Sequence, residues 1–340
     1  MFWFIVISLI IAAFVLVLLD KTSKFPSKKH EKLAANLWVE ESQSEVDYQK
    51  QIRKERINKI VKYIIVYLFL TVVAFFVVFP FYYMFAASLM TQDEVLASPP
   101  TLIPTSLKFV NFKIAMNQPG INFGTYMINT IIVGVFSTLG TLITTVLSAY
   151  AFARLNFKGR DLLFSIFVAT MMIPGEVLVI TNYITVCHRD RLALSNTYAA
   201  MIIPFWVSTY YIFLLRNTFK QIPNELYYAA KVDGTGDFKY LLKVMLPIAS
   251  PTIITITILK LMGAWNSYIW PNLVTNPTVE KDLTLITVGL RKGFAVEEGG
   301  KPVTHLQMAA TTVVTVPLLL VFILFRKYIV KGVSRSGIKG

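Results

Sequence analysis

"IPNELYYAAKVDGTGDFKYLLKVMLPIASP", residues 222–251, puts three lysines, three carboxylates and flanking prolines into a chain that is otherwise strongly apolar. Apolar runs long enough to cross a bilayer stand on either side, at about 196–219 and 248–271. Asn224, directly after Pro223, suits a helix N-cap. Glu225 in the first turn complements the helix dipole. The pattern predicts a short helix over 225–232, stopped at Asp233-Gly234 because glycine accepts the left-handed backbone that ends helices. Asp237 is expected to cap a second short helix over 238–246, with Pro247 opening the next span. Small Ala229 and Ala230 beside Leu226 and Tyr227 allow close approach to another surface. The residues alone leave two readings open: a helix lying on the membrane, or a docking knob for a soluble partner.

The chain has 340 residues, 55% of them hydrophobic and 15% charged. A soluble domain of this length could not bury so much apolar surface, so the bilayer is the expected solvent. Seven runs are long enough to span it as helices: about 2–19, 61–89, 125–152, 162–186, 196–219, 248–271 and 306–330. Strand alternation is missing, which argues against a barrel. Pro80, Pro174, Pro204 and Pro317 fall inside these runs, where neighbouring helices can re-satisfy the freed backbone groups. "MIPGE" at 172–176 is expected to mark a kink.

Net charge of +14 fits loops that stay inside the cell better than a nucleic-acid interface. Segment 20–60 carries ten Lys and Arg. Positive charge returns at Arg154, Lys158 and Arg160, at Arg216 to Lys243, and in the tail at Arg326, Lys327, Lys331, Arg335 and Lys339. The loops between are sparser, so the N-terminus is expected outside and the C-terminus in the cytoplasm. Residues 1–20 have no early positive charge and no small-residue cleavage site, and so read as a retained span. Residues 21–60 read as a charged cytoplasmic linker near the anionic leaflet. The one cysteine, Cys187, stands beside His188, but two such side chains make no metal site.

With those spans in place, residues 222–251 resemble the EAA loop of ABC importer permeases, a pattern of the form P-x-E-L-x-E-A-A-x-x-D-G-A followed at a distance by L-P. Pro223, Glu225, Leu226, Ala229, Ala230, Asp233, Gly234 and Leu246-Pro247 match. Tyr228 stands where the pattern has its central glutamate, and Thr235 replaces the following alanine. The stretches 86–104, "INTIIVG" (128–134), "AYAFARLNFKGR" (149–160), "MMIPGEV" (171–177), "AWNSYIWP" (264–271) and "KYIVKGVSRSGIKG" (327–340) resemble the maltose MalG type in the same order. The resemblance covers about 61–340. It implies an all-α polytopic type I permease with six core helices, to which residues 1–20 add one.

The resemblance further implies a MalF-like second permease subunit, a pair of ATPase subunits that hold ATP and magnesium, and an extracellular sugar-binding protein. This chain itself lacks a G-x-x-x-x-G-K-[ST] phosphate loop, so a non-catalytic translocation subunit with no cofactor of its own is expected. Glu225, Leu226, Tyr228, Ala229, Ala230, Asp233 and Gly234 are the expected ATPase-coupling residues. Without the central glutamate, a more apolar grip is expected. Polar groups at membrane depth are route candidates: Lys260 first, then Glu176, with Asn129, Trp265, Asn266 and Tyr268 offering stacking and hydrogen bonding. Carbohydrate, especially an oligosaccharide, is the expected cargo. Glycerol 3-phosphate or a glycerophosphodiester is the alternative, favoured by a positive cavity. An ion-coupled secondary transporter is more remote, because it leaves the loop without a purpose.

Overall fold

The computed structural model describes residues 41–188, 190–276, 282–294, 297–298 and 301–334. The expected span at 2–19, the linker up to residue 40 and the last tail residues, 335–340, lie outside them. Among the described residues the fold is helical, apart from a two-residue ribbon that pairs Glu297–Glu298 with Lys301–Pro302. The chain divides into two units, Met1–Tyr83 and Met84–Gly340.

In the first unit, linker and span are not separate elements. A single helix, Glu41–Ser88, runs from the charged segment into the apolar one. Residues 41–60 are dominated by Glu, Gln, Lys and Arg, all good helix formers, with no glycine or proline to stop the turn. Pro80 is carried inside the helix. Its apolar side chains, Tyr67 and Phe75 among them, are left uncovered, as a lipid-facing helix requires.

Three helices among the described residues, Lys50–Ser88, Phe123–Arg154 and Thr304–Arg326, are long and apolar enough to span alone. Three bent pairs raise the number to as many as six, by length and composition, if each pair is one span: Arg160–Met172 with Gly175–Cys187, Tyr198–Phe205 with Thr209–Lys220, and Asp237–Ile248 with Ser250–Trp265. The expected kink at 172–176 is sharper than a kink, an 89° turn. Ile173, forced out of the helical region by the proline after it, sits at φ −87°, ψ 116°, and the helix restarts in a tight turn at Gly175. The 80° bend falls at Ala249. Pro247 and Pro251, one on each side of it, each remove a backbone donor.

Helix Phe123–Arg154 is the axis of the second unit. It packs on Ser250–Trp265 and Thr209–Lys220, and Ser250–Trp265 packs in turn on Thr304–Ser334. Its buried stripe is made of small polar residues: Thr130, Gly134, Ser137, Thr138, Thr141 and Thr145. Small side chains let helices approach closely where lipid supplies no hydrophobic drive. Thr130 donates within the helix to the Tyr126 carbonyl at 2.7 Å and Thr138 to Gly134 at 2.6 Å, whereas Thr141 donates across to the Phe205 carbonyl at 2.9 Å. Gly140 lies so close to the Trp206 indole that a β-carbon there would collide with it.

Candidate functional site

The first helix of the loop spans Asn224–Val232, and Pro223 holds the capping position. Asn224 is thus inside the helix and not its cap. Its side-chain oxygen is turned aside to accept from the Arg154 guanidinium. The helix ends as the Asp233-Gly234 pair predicts. Gly234 takes φ +68°, its N–H donates to the Lys231 carbonyl at 3.0 Å, and the Thr235 N–H reaches back to Ala230 at 2.8 Å. These two bonds are the Schellman closure, and they fix the direction in which the chain leaves.

Asp237 is also not a cap. It is the first residue of helix Asp237–Tyr240, with no capping bond from its side chain. Its carboxylate instead accepts from the Tyr150 hydroxyl at 2.8 Å, the Tyr227 hydroxyl at 3.0 Å and the Lys231 ammonium at 3.0 Å. The Lys231 ammonium, with the two hydroxyls, holds the Asp237 carboxyl below the usual carboxylate range despite its partial burial. Asp237 in turn raises Lys231. One acid therefore ties both loop helices to the end of Phe123–Arg154.

Arg154 makes a second tie. Its guanidinium donates to the carbonyls of Phe219, at 2.9 Å, and of Ile222, as well as to Asn224. Ile222 and Tyr240 are buried with Tyr150, Phe219, Leu241 and Met245 in one core, against which Tyr227 and Ala230 pack. Arg216 braces the neighbouring turn: it donates to the Phe152 carbonyl at 3.2 Å, lies 3.5 Å from Asp161, and stacks 3.6 Å over the Phe164 ring. The loop is anchored to the bundle through its inner face.

Of the expected coupling residues, Glu225, Leu226, Tyr228, Ala229, Asp233 and Gly234 are exposed, whereas Ala230 turns inward. The two alanines therefore do different things. Ala230 lets the helix sit close to the core, and Ala229 leaves the outer face shallow. That face continues in apolar residues with nothing over them: Tyr228 is 63% exposed, Val232 89% and Phe238 64%. Sequence reasoning missed Tyr150, Tyr227 and Lys231 as the brace. Nothing local links Tyr150 to an acid 87 residues away, although the Tyr227/Lys231 spacing of one helical turn was a usable signal.

The expected route residues separate. Lys260 lines a cavity of about 340 Å³ with Phe205, Tyr211 and Trp270, and with the hydroxyls of Ser137, Ser208 and Ser267. Asn129 is buried and committed to packing: it donates to the carbonyls of Asp282 and Thr284, both at 3.1 Å, and accepts from Tyr198 at 2.6 Å. Trp265 is buried in a separate core with Tyr126 and Ile286. Asn266 is exposed at the end of its helix. The Tyr268 ring lies 4.8 Å below the Arg291 guanidinium. Glu176 is exposed beyond the 89° turn. Cys187 and His188 join no cluster of three or more metal-binding side chains among the described residues.

Residues 142–335, more than half of the chain, match the family described as binding-protein-dependent transport system inner membrane component. The sn-glycerol-3-phosphate transport system permease protein UgpE of Pectobacterium atrosepticum is 30% identical over 264 residues, covering 76% of this chain and 92% of that one. The arabinooligosaccharides transport system permease protein AraQ of Halalkalibacterium halodurans is 28% identical over 270 residues, covering 79% and 93%. A chain in the crystal structure of a bacterial ABC transporter involved in the import of the acidic polysaccharide alginate superposes with a TM-score of 0.68 at 27% identity, covering 81% of this chain and 98% of that one. The matched region contains the braced 222–251 loop, Tyr150 and Arg154 that hold it, and Lys260, and the chain belongs to the family of binding-protein-dependent transport system inner membrane components.

Proposed function

We propose that this chain is the translocation subunit of an ATP-driven importer that takes a carbohydrate from an extracellular binding protein. The loop at 222–251 and the C-terminus face the cytoplasm, and residues 1–20 add a span that puts the N-terminus outside. A MalF-like subunit completes the path, and a separate ATPase pair holds ATP and magnesium. The ATPases close on ATP, push the docked loop, and switch the spans between inward and outward access.

The observation that carries this reading is the combination of a rigid inner face and an uncovered outer one on the same loop. Leu226, Tyr228, Val232 and Phe238 expose large apolar area, which an aqueous loop keeps only where a partner covers it. Tyr150, Arg154 and Asp237 fix that loop to the bundle, so a displacement of the loop must move the spans. The relatives are permeases for arabinooligosaccharides and for glycerol 3-phosphate, which supports carbohydrate as cargo. Glycerol 3-phosphate or a glycerophosphodiester stays as the second reading, favoured by the cation in the cavity.

Reconstituting the full importer in proteoliposomes tests this. Uptake should require ATP and binding protein and survive ionophores that collapse ion gradients. Uptake that follows an ion gradient without ATP overturns the proposal.

A further inference from the structure

The geometry points to the Lys260 cavity as a selective subsite for a sugar or polyol that carries a negative charge, carboxylate or phosphate, with the Lys260 ammonium meeting that charge. The inference rests on the import reading above and narrows it to a class of cargo.

Among the described residues, Lys260 is the one charged residue in the cavity wall. Its ammonium lies 3.0 Å from the Phe205 carbonyl and 5.5 Å from the centre of the Phe205 ring. That carbonyl also accepts from Thr141 at 2.9 Å, so both of its lone pairs are used. An ammonium has three protons, and the Phe205 bond uses one of them. None of the ion pairs among the described residues involves Lys260. A charged donor at membrane depth, with protons to spare and no acid beside it, calls for an anion.

The rest of the wall says what the anion is attached to. Tyr211, Phe205 and Trp270 present aromatic surface, and Ser137, Ser208 and Ser267 present hydroxyls. Aromatic faces with interspersed hydroxyls suit a compact ligand that is apolar on its C–H faces and polar at its edges. At about 340 Å³ the cavity falls in the ~300–1,000 Å³ range of small-molecule sites. The charge is held at Phe205, beside the bend that separates Tyr198–Phe205 from Thr209–Lys220.

The test uses the complete importer in proteoliposomes and two matched pairs of probes: a uronate trisaccharide with its carboxyl-reduced neutral counterpart, and sn-glycerol 3-phosphate with glycerol. The variants are Lys260→Gln, which keeps length and can still donate to Phe205 but loses the charge, and Lys260→Arg, which keeps the charge. Wild type should import the anion of one pair about tenfold faster than its neutral partner; the pair that shows this identifies carboxylate or phosphate. Lys260→Gln should lower uptake of the anion about tenfold more than uptake of its neutral partner, erasing the preference, and Lys260→Arg should retain it. Equal loss of charged and neutral uptake in Lys260→Gln, as a structural clamp or an acid from a neighbouring subunit would give, overturns the inference. Import of a neutral probe with no preference for its anion overturns it too but leaves carbohydrate import standing. Import of none of the four probes overturns both.

Discussion

The hydroxyl of Tyr150, in the last turns of helix Phe123–Arg154, donates to the carboxylate of Asp237 at 2.8 Å. This bond crosses from a spanning helix to a loop 87 residues further along the chain. Tyr150→Phe removes it without changing the shape of the ring. A hydrogen bond to a charged acceptor contributes about 1.5–3 kcal/mol. The variant should loosen the loop without unfolding the bundle, seen as faster amide exchange in 236–246 at unchanged exchange in 130–145. In a double-mutant cycle with Asp237→Asn the two changes should be less than additive.

Arg154 should tolerate no conservative exchange. Its planar fork reaches the Phe219 and Ile222 carbonyls and the Asn224 side chain together. A lysine has a single point charge and cannot span all three. Arg154→Lys should therefore destabilise by about 1–3 kcal/mol, read as a lower melting temperature in nanodiscs and protease cleavage near 220–224. A Lys variant that melts with wild type would remove Arg154 from the brace.

The close approach of Gly140 to Trp206 gives a packing prediction. A β-carbon on Gly140 meets the Trp206 indole ring, and overpacking typically costs about 1–3 kcal/mol. Gly140→Ala should lower thermal stability by that order, and Trp206→Leu should recover part of the loss in the double variant. No rescue would mean that the two elements are not in contact.

Asp237 sets a pH dependence. Its folded carboxyl lies below the ordinary range because Lys231 and two tyrosine hydroxyls favour the ionised form. A group depressed in this way stabilises the fold above its unfolded value of about 3.9, and that contribution is lost as pH falls from there through the lowered folded value. Across the physiological range the brace should stay fully formed. A carboxyl-¹³C titration in nanodiscs, assigned by the signal missing from Asp237→Asn, should place the midpoint below 3.9; a midpoint at or above it contradicts the assignment.

Much of this was legible in the chain. Apolar runs at 61–89, 125–152 and 306–330 fell on the three helices that are long enough to span alone, because hydrocarbon thickness imposes their length. Asp233-Gly234 gave the end of the loop helix, because few residues accept φ +68°. The errors came where a local rule met a distant partner. Asn224 and Asp237 both look like caps, yet Arg154 and Tyr150 claim their side chains. Ala229 and Ala230 are neighbours in sequence, yet only Ala230 packs inward against the core. Asn129, a polar residue in a span, turned out to bond loop carbonyls, a contact about 150 residues away that no periodicity announces.

The central claim is that the outer face of the 224–232 helix is where a separate ATPase docks. Val232 tests it most directly, because it is 89% exposed and has no part in the brace, so its substitution cannot act through folding. When the importer is purified through this chain, Val232→Asp should retain the partner permease and the wild-type melting temperature but lose about tenfold or more of the ATPase, through burial of an unpaired charge. ATPase recovered at wild-type stoichiometry, with import at the wild-type rate, would contradict the account.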